Sequence, residues 1–307
     1  MDFTPIAAPT AGELQAQLLA QWQQAGISYV KDTDLRSARN HLLGALANAR
    51  QLGVPDYLVN TLGFLTLMHC TLGEFDQAIA TSAEVFRIGG NAQSNFPRGY
   101  GFAAAFGTLA HLHRGQPEAA KQCMLHGQQI AEMLSAPEVH VWVCFAAASY
   151  FLDQGELQLA DAQAQLAVLH CQTGNITDSL ATMWGMCGRV ATAKRDFASA
   201  ATYFQKAQEN VYNELQATYA QADAGLMAEA SGDYAQAERL LRPALDFHIR
   251  TCVWRYVPLI GWGLARVLAT TGQLDEARIT ALRALQCARE IHDMRVNPIR
   301  RWLNTLH

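Results

Sequence analysis

The sequence predicts an all-α protein: an α–α superhelix, or solenoid, of about seven helical hairpins with a helix capping its C-terminal end. A nine-residue string recurs along the 307 residues, clearly at 72–80, 114–122, 154–162, 231–239 and 271–279 and more weakly at 32–40 and 194–202. An alanine occupies the same column in every copy. Because a period near 40 residues fits a repeated pair of helices, these observations predict a repeat protein with one continuous core.

The alanine column is the strongest evidence for this fold. It lies five residues after the turn residue of each copy and comprises Ala38, Ala78, Ala120, Ala160, Ala200, Ala237 and Ala277. Small residues also recur seven positions before the turn residue, from Gly26 to Ala265, and small residues or valine recur twelve after it, from Ala45 to Ala284. Small side chains at constant offsets let two helix axes approach closely. Each copy is therefore predicted to be a hairpin of a first and a second helix.

Glycine and proline mark the helix ends. Gly at the turn is suited to the left-handed cap that ends the first helix, and acidic residues follow where the second helix begins. Pro55, Pro97 and Pro137 share one offset that predicts the start of a first helix, whereas Pro243 is expected to kink or shorten a second helix. The predicted organisation is a tail at 1–10, a repeat array at 11–292 and a capping helix at 293–307. The units of the array are predicted at 11–51, 54–89, 94–135, 137–174, 176–211, 213–249 and 253–292.

The pattern of a small residue, a Gly-Asp/Glu turn, an alanine and a second small residue resembles the tetratricopeptide repeat (TPR) over about 280 residues. The period near 40 is longer than the usual 34. In this respect the chain is similar to the helical sensor arrays of bacterial LuxR-type ATP-dependent regulators, and to the arrays of bacterial receptors for signalling peptides. The phosphate-binding GxxxxGK loop of such regulators is absent from the sequence, as is a plausible helix-turn-helix after residue 292.

The resemblance also implies a binding surface, because the first helices of TPR arrays line the concave face of the superhelix. Carrying the inner positions over predicts a face rich in aromatic residues and poor in lysine, with arginines that could pair with a carboxylate. The predicted partner-binding residues are Asn60, Phe102, His113, Trp142, Phe145, Arg189, Tyr219, Leu226, Trp262 and Arg266. The alternative is that individual aromatic residues pack between repeats.

Composition excludes several other classes. No stretch approaches the length of a membrane span, and the first residues do not resemble a secretory signal. Seven cysteines without CxxC pairs indicate reduced thiols, so a cytoplasmic location is expected. We expect no cofactor and no metal site, because His111 and His113 point to different helix faces and a helix end separates His248 from Cys252. No GxSxG, HExxH or GxGxxG motif occurs, so the protein is predicted not to be an enzyme.

Charge is unevenly distributed behind a net charge of −4. Residues 239–307 contain eleven arginines and five acids, whereas residues 1–238 contain twelve basic and twenty-two acidic residues. Arginines from Arg278 to Arg301 could form a basic strip, but lysine and interleaved aromatic residues are scarce there, which disfavours nucleic acid as the partner. The simpler interpretation is that these arginines keep the C-terminal cap soluble. The charge asymmetry is also compatible with contact between copies, so a homo-oligomer remains open.

Two functions follow as hypotheses. The first is a non-catalytic scaffold in bacterial regulation or signalling that recognises a protein segment or peptide in its concave groove. The second is a sensor domain of a transcriptional regulator that binds a small-molecule effector. An extended open groove would favour the peptide, and a closed apolar cavity with few polar groups would favour the small ligand.

Overall fold

The computed structural model describes residues 9–89 and 97–306, which form fifteen α-helices and no β-strand. The all-α prediction is therefore confirmed. The helices are α1 Ala11–Val30, α2 Leu35–Leu52, α3 Pro55–Thr71, α4 Phe75–Ile88, α5 Arg98–His113, α6 Pro117–Leu134, α7 Pro137–Asp153, α8 Leu157–Thr173, α9 Thr177–Ala193, α10 Phe197–Glu209, α11 Glu214–Ser231, α12 Tyr234–Arg250, α13 Val257–Thr270, α14 Leu274–Glu290 and α15 Val296–Leu303.

Helices α1 to α14 form seven antiparallel pairs, and neighbouring pairs stack on one another. The odd-numbered helices from α1 to α13 are the first helices of the pairs. From α3 to α13 each packs against the next one, and α1 contacts α3 through the hydrogen bond from Trp22 to Thr61. The short helix α15 covers the end of the stack, where Ile299 packs against Ala284, Leu285 and Ala288 of α14. Most of the predicted tail, residues 1–8, lies outside the described residues. No helix in the described ranges is long and apolar enough to cross a membrane.

The turn residue within each pair adopts the left-handed conformation predicted for it. Its φ angle lies between 52° and 88° in all seven units, including the two units where the residue is Thr33 or Arg195 and not glycine. The following residue is the N-cap of the second helix. At α2, α10 and α12 this residue is Asp34, Asp196 or Asp233, whose side chain accepts a hydrogen bond from the amide three residues later.

The alanine column lies at the centre of each hairpin. All seven alanines are at most 1% exposed. The neighbouring small column has the same role in most units: a Cβ atom added at Gly188 would lie 2.4 Å from the Phe204 ring, and one at Gly225 would lie 2.7 Å from Leu241. Gly26 is the exception, because no heavy atom lies within 4 Å of an added Cβ. Close approach of the helices therefore requires small residues in units five and six but not in unit one.

Proline behaves as expected at helix starts but not in α12. Pro55 and Pro137 occupy the first position of α3 and α7, and Pro97 immediately precedes α5. Helix α12 continues through Pro243 for 17 residues, as many as α8 or α14. The expectation that Pro243 shortens the helix is therefore wrong. Packing of Leu241 and Ala244, both fully buried, holds the helix on either side of the proline.

The C-terminal part of the array contacts the second and third units across the superhelix. The turns 251–256, before α13, and 291–295, after α14, lie against the C-terminal ends of α3 and α5; we call this the closing contact. The Arg255 amide donates to the Thr71 carbonyl at 3.4 Å, and the Met294 amide donates to the His113 carbonyl at 2.7 Å. Gly73 lies beneath Trp254 and Ile291, since an added Cβ would come within 3.2 Å of both. The interior of the superhelix is consequently covered by the chain itself.

Replacing Ala160 with leucine should lower the free energy of unfolding by about 1–3 kcal/mol, because a fully buried position at a helix crossing has no space for the larger side chain. Chemical denaturation followed by circular dichroism measures the change. Ala162→Leu is the matched control, since Ala162 is exposed in the same helix. Equal stability of the two variants would contradict the role assigned to the alanine column.

Candidate ligand-binding cavity

A cavity of about 260 Å³ lies inside the superhelix, within the part of the chain that the structure describes. Residues of six first helices, α1, α3, α5, α7, α9 and α11, line it, together with residues 212–213 and with Arg255 and Tyr256 from the closing contact. No residue of a second helix contributes to the lining. Gly26 and Tyr212, which line the cavity and are solvent-exposed, mark its mouth.

One wall of the cavity is aromatic. The Trp142 ring lies 4.8 Å from Phe102, 5.5 Å from Phe106 and 5.6 Å from Phe145, measured between ring centroids. Phe64 continues the wall, 4.8 Å from Phe102 in an edge-on contact. These rings come from α3, α5 and α7, three successive first helices, so stacking of the repeats builds a continuous apolar surface.

The cavity lining also carries charge. Arg98 and Asp178 form an ion pair of 2.6 Å at the edge of the lining. Arg189, Asp223 and Arg255 make no ion pair with a described residue, although all three line the cavity. Burial raises the pKa of Asp223 to about 6, against the opposing effect of the two arginines. Uncompensated charges of this kind cost folding energy and are typical of binding sites.

Several buried polar atoms of the lining have no hydrogen-bond partner among the described residues. They are Trp142 Nε1, Asn213 Nδ2, Asp223 Oδ1 and Arg255 Nε. Buried polar atoms are normally paired, because a lost hydrogen bond costs about 1–3 kcal/mol. Their concentration around one cavity shows that the folded chain alone leaves this surface unsatisfied.

The closing contact holds Arg255 and Tyr256 in the lining. At its centre, His113 Nδ1 lies 2.7 Å from Asp293 Oδ2, and Arg295 Nη1 lies 2.8 Å from the same carboxylate. The His113 ring stacks on Phe75 at 4.7 Å. Burial lowers the pKa of His113 to about 4, and so the neutral ring donates its Nδ1 proton to Asp293. Burial raises the pKa of Asp293, but the charge of Arg295 and the hydrogen bond from His113 outweigh this effect and lower the pKa to about 2.

The residues predicted to bind a partner divide into three groups. Phe102, Trp142, Phe145, Arg189 and Tyr219 line the cavity together. His113 lines a smaller cavity of about 160 Å³ that also borders Arg189. The remaining four residues lie outside both cavities: Asn60, Leu226, Trp262 and Arg266.

Those four residues contact other parts of the chain. An added Cβ at Gly99 of α5 would lie 2.8 Å from the Asn60 backbone, so α5 buries Asn60. Leu226 packs against α13, and Trp262 packs against the cluster beneath α15. Arg266 stacks over Trp262 at 4.4 Å and donates to Glu229 at 2.7 Å.

Several residues of the cavity were not among those predicted. Phe64, Phe106, Met186 and Asp223 all lie nine positions before the turn residue of their unit, so this column was readable from the repeat alignment. Arg255 and Tyr256 have no such signal. They lie between two units, and only the closing contact brings them into the interior.

The histidines, cysteines and C-terminal arginines were the other candidate site residues in the sequence. Within the two described ranges no cluster of His, Cys, Asp or Glu could hold a metal ion. The seven cysteines are free, and burial raises the thiol pKa of Cys70 to about 11 and that of Cys187 to about 12. Two of the C-terminal arginines are engaged within the chain: Arg295 in the closing contact, and Arg278 with the Leu306 carbonyl at 2.7 Å.

Comparison with known proteins identifies the fold. No family model matches the chain, and no curated protein matches it. Among solved structures, a Rap protein in complex with the competence and sporulation factor is similar, with a TM-score of 0.62 at 14% identity over 92% of this chain and 78% of that one. The apo form of RapI has a TM-score of 0.59 at 10% identity, covering 90% and 98%.

A third similar structure is a signal transduction ATPase with a tetratricopeptide repeat sensor from Pyrococcus horikoshii. Its TM-score is 0.55 at 11% identity, over 91% of this chain and 42% of that one. At these identities the similarity concerns the fold. The chain has a helical superhelix of the TPR type, as its repeat pattern indicated.

The closing contact predicts a specific dependence of stability on pH. The pKa of His113 is lowered to about 4 in the folded protein, so between pH 6.5 and 4 the unfolded chain binds the additional proton. The contribution of neutral His113 to the free energy of unfolding is therefore fully present above pH 6.5. It decreases as the pH falls towards 4. Replacing His113 with glutamine should reduce the slope in this range by up to about 1.4 kcal/mol per pH unit. His248, whose pKa is lowered to about 3, leaves a residual slope.

Urea unfolding at half-unit pH steps measures this slope. His111→Gln is the control, because His111 lies in the same helix and its ring bonds to Gln116 of its own unit, away from the closing contact. Indistinguishable slopes for wild type and His113→Gln would show that His113 is not held neutral by the closing contact.

Proposed function

We propose that the protein is a non-catalytic regulatory receptor of the TPR type that encloses a small ligand, or the end of a peptide, in its inner cavity. The observation that carries this proposal is the cavity itself, with an aromatic wall, uncompensated charges and unpartnered polar atoms. A volume of about 260 Å³ lies just below the roughly 300–1,000 Å³ of pockets for drug-sized ligands. It therefore suits a ligand of about one or two amino-acid residues.

The closing contact supports one of the two hypotheses from the sequence over the other. An extended peptide needs a continuous groove, whereas the turns 251–256 and 291–295 cross the interior here. Enclosure favours the small ligand or an inserted peptide end. The lining also has more polar groups than a purely apolar effector would require, which favours a ligand with polar groups of its own.

Similar structures support a regulatory role. One Rap protein of this fold forms a complex with the competence and sporulation factor, and in the archaeal ATPase the TPR array is described as a sensor. Against catalysis, the thiols of Cys70 and Cys187 are buried with raised pKa values, and His113 and His248 are buried in neutral form. Free cysteines fit a reducing compartment, so we place the receptor in the cytoplasm, with neither a membrane nor nucleic acid as its partner.

Gly185 provides a test, because it is buried in the lining yet an added Cβ meets no heavy atom within 4 Å. Gly185→Leu should fill the cavity and abolish ligand binding, while helix propensity maintains or raises stability by about 0.5–1 kcal/mol. Saturation-transfer NMR with a mixture of amino acids, N-acyl amino acids, dipeptides and neutral aromatic compounds measures binding.

Gly12→Leu is the matched control, since Gly12 also has free space around it but is exposed on α1, outside the cavity. Components that bind wild type and Gly12→Leu, but not Gly185→Leu, would support the proposal. Absence of binding to wild type, or equal binding to all three proteins, would refute it.

A further inference from the structure

We propose that the inner cavity recognises an N-acylated amino acid with an apolar side chain, either as a free compound or as the C-terminal residue of a peptide. This inference rests on the proposed function and adds the chemical class of the ligand. In the arrangement we infer, Arg255 and Arg189 face the carboxylate, Asp223 accepts the amide N–H, and the aromatic wall contacts the side chain.

The charge of the lining points to a ligand with one negative charge. Arg98 and Asp178 neutralise each other in an ion pair of 2.6 Å. Of the charged lining residues that remain, Arg189 and Arg255 face a single carboxylate, Asp223, so one positive charge is uncompensated. A monoanion balances it, whereas a neutral or zwitterionic ligand leaves it in a poorly solvated site.

Arg255 is the best-defined partner for that anion. It is 7% exposed, and its only side-chain hydrogen bond among the described residues is a long one of 3.4 Å to the Tyr219 hydroxyl. Its guanidinium lies 5.1 Å from the Tyr256 ring and 5.8 Å from the Phe106 ring, which hold it in place. A buried guanidinium without a close ion pair is energetically costly, and its planar donors match a carboxylate in particular.

Asp223 specifies the second polar group of the ligand. It is 6% exposed, and its Oδ1 atom accepts no hydrogen bond from a described residue. A ligand donor would satisfy this oxygen. Since an ammonium donor would make the ligand zwitterionic and leave the positive charge unbalanced, an uncharged amide N–H fits the charge count. In an N-acyl amino acid this N–H is attached to the carbon that carries the carboxylate.

The aromatic wall provides the site for the side chain. Trp142 is 6% exposed and lies within 4.8–5.6 Å of three phenylalanine rings, so these rings form a fixed surface. Apolar contact on this surface contributes roughly 25 cal/mol for each Å² removed from water. A branched or aromatic side chain therefore gains more than a polar one.

Isothermal titration calorimetry of the full chain at pH 7.5 tests the inference with four probes. N-acetyl-phenylalanine should bind. N-acetyl-phenylalanine amide, which lacks the carboxylate, and phenylalanine, which has an ammonium group, should each bind at least tenfold more weakly. Acetyl-Gly-Gly-Gly-Phe distinguishes the two sources: binding comparable to that of N-acetyl-phenylalanine identifies a peptide end, and loss of binding identifies a free N-acyl amino acid.

Arg255→Gln should weaken binding of N-acetyl-phenylalanine at least tenfold and remove the preference for the acid over the amide. Arg283→Gln, which changes an exposed arginine of α14, is the charge-matched control and should bind as wild type does. Arg255→Lys retains the charge and serves if the glutamine variant does not fold; it should keep a reduced preference for the acid.

Equal affinity of wild type for the acid and the amide would overturn the inference. If none of the four probes binds while other compounds bind in a manner that Gly185→Leu abolishes, the ligand class is wrong and the proposed receptor function stands. If no compound binds to wild type in either experiment, both are wrong.

Discussion

Close packing of the two helices within each hairpin is the constraint on which the rest of the structure depends. Each hairpin crosses at a fully buried alanine, so the axes approach to a distance that no larger side chain would allow. Because the same crossing recurs seven times, each unit is rotated from its neighbour by a similar small angle, and the stack curves. The curvature brings the last two units back to the second and third.

The closing contact results from that curvature, and it adds Arg255 and Tyr256 to the lining of the cavity. The turn that carries Arg255 packs on α3, and the neighbouring turn places Asp293 against His113 of α5. These contacts bury Arg255 in the same cavity lining as Asp223 of α11, and neither side chain forms an ion pair with a described residue. Such an arrangement sacrifices stability, and a ligand that supplies the missing charge and hydrogen bonds would recover it. In the receptor proposed above, ligand binding would therefore be coupled to closure of the superhelix through Arg255.

The repeat alignment was sufficient to predict much of the fold and part of the cavity. Positive φ at the turn extends to Thr33 and Arg195, because the hairpin geometry imposes the conformation even where glycine is absent. Phe102, Trp142 and Tyr219 occupy one inner column and line the cavity together. Asn60 belongs to the same column, yet the close approach of α5 at Gly99 buries it away from the cavity. A position in the repeat alignment thus indicates towards which side of the superhelix a residue points. It does not indicate whether another helix covers that residue.

The sequence by itself determined the all-α repeat architecture, since periodic small residues, turn glycines and helix-starting prolines act locally within each hairpin. Only the tertiary structure decided that the concave side is a closed cavity and that Arg255 and Tyr256 belong to it. The reason is physical: closure depends on a small rotation accumulated over five units, and it joins residues about 180 positions apart, such as His113 and Asp293. No local sequence pattern encodes this accumulated rotation.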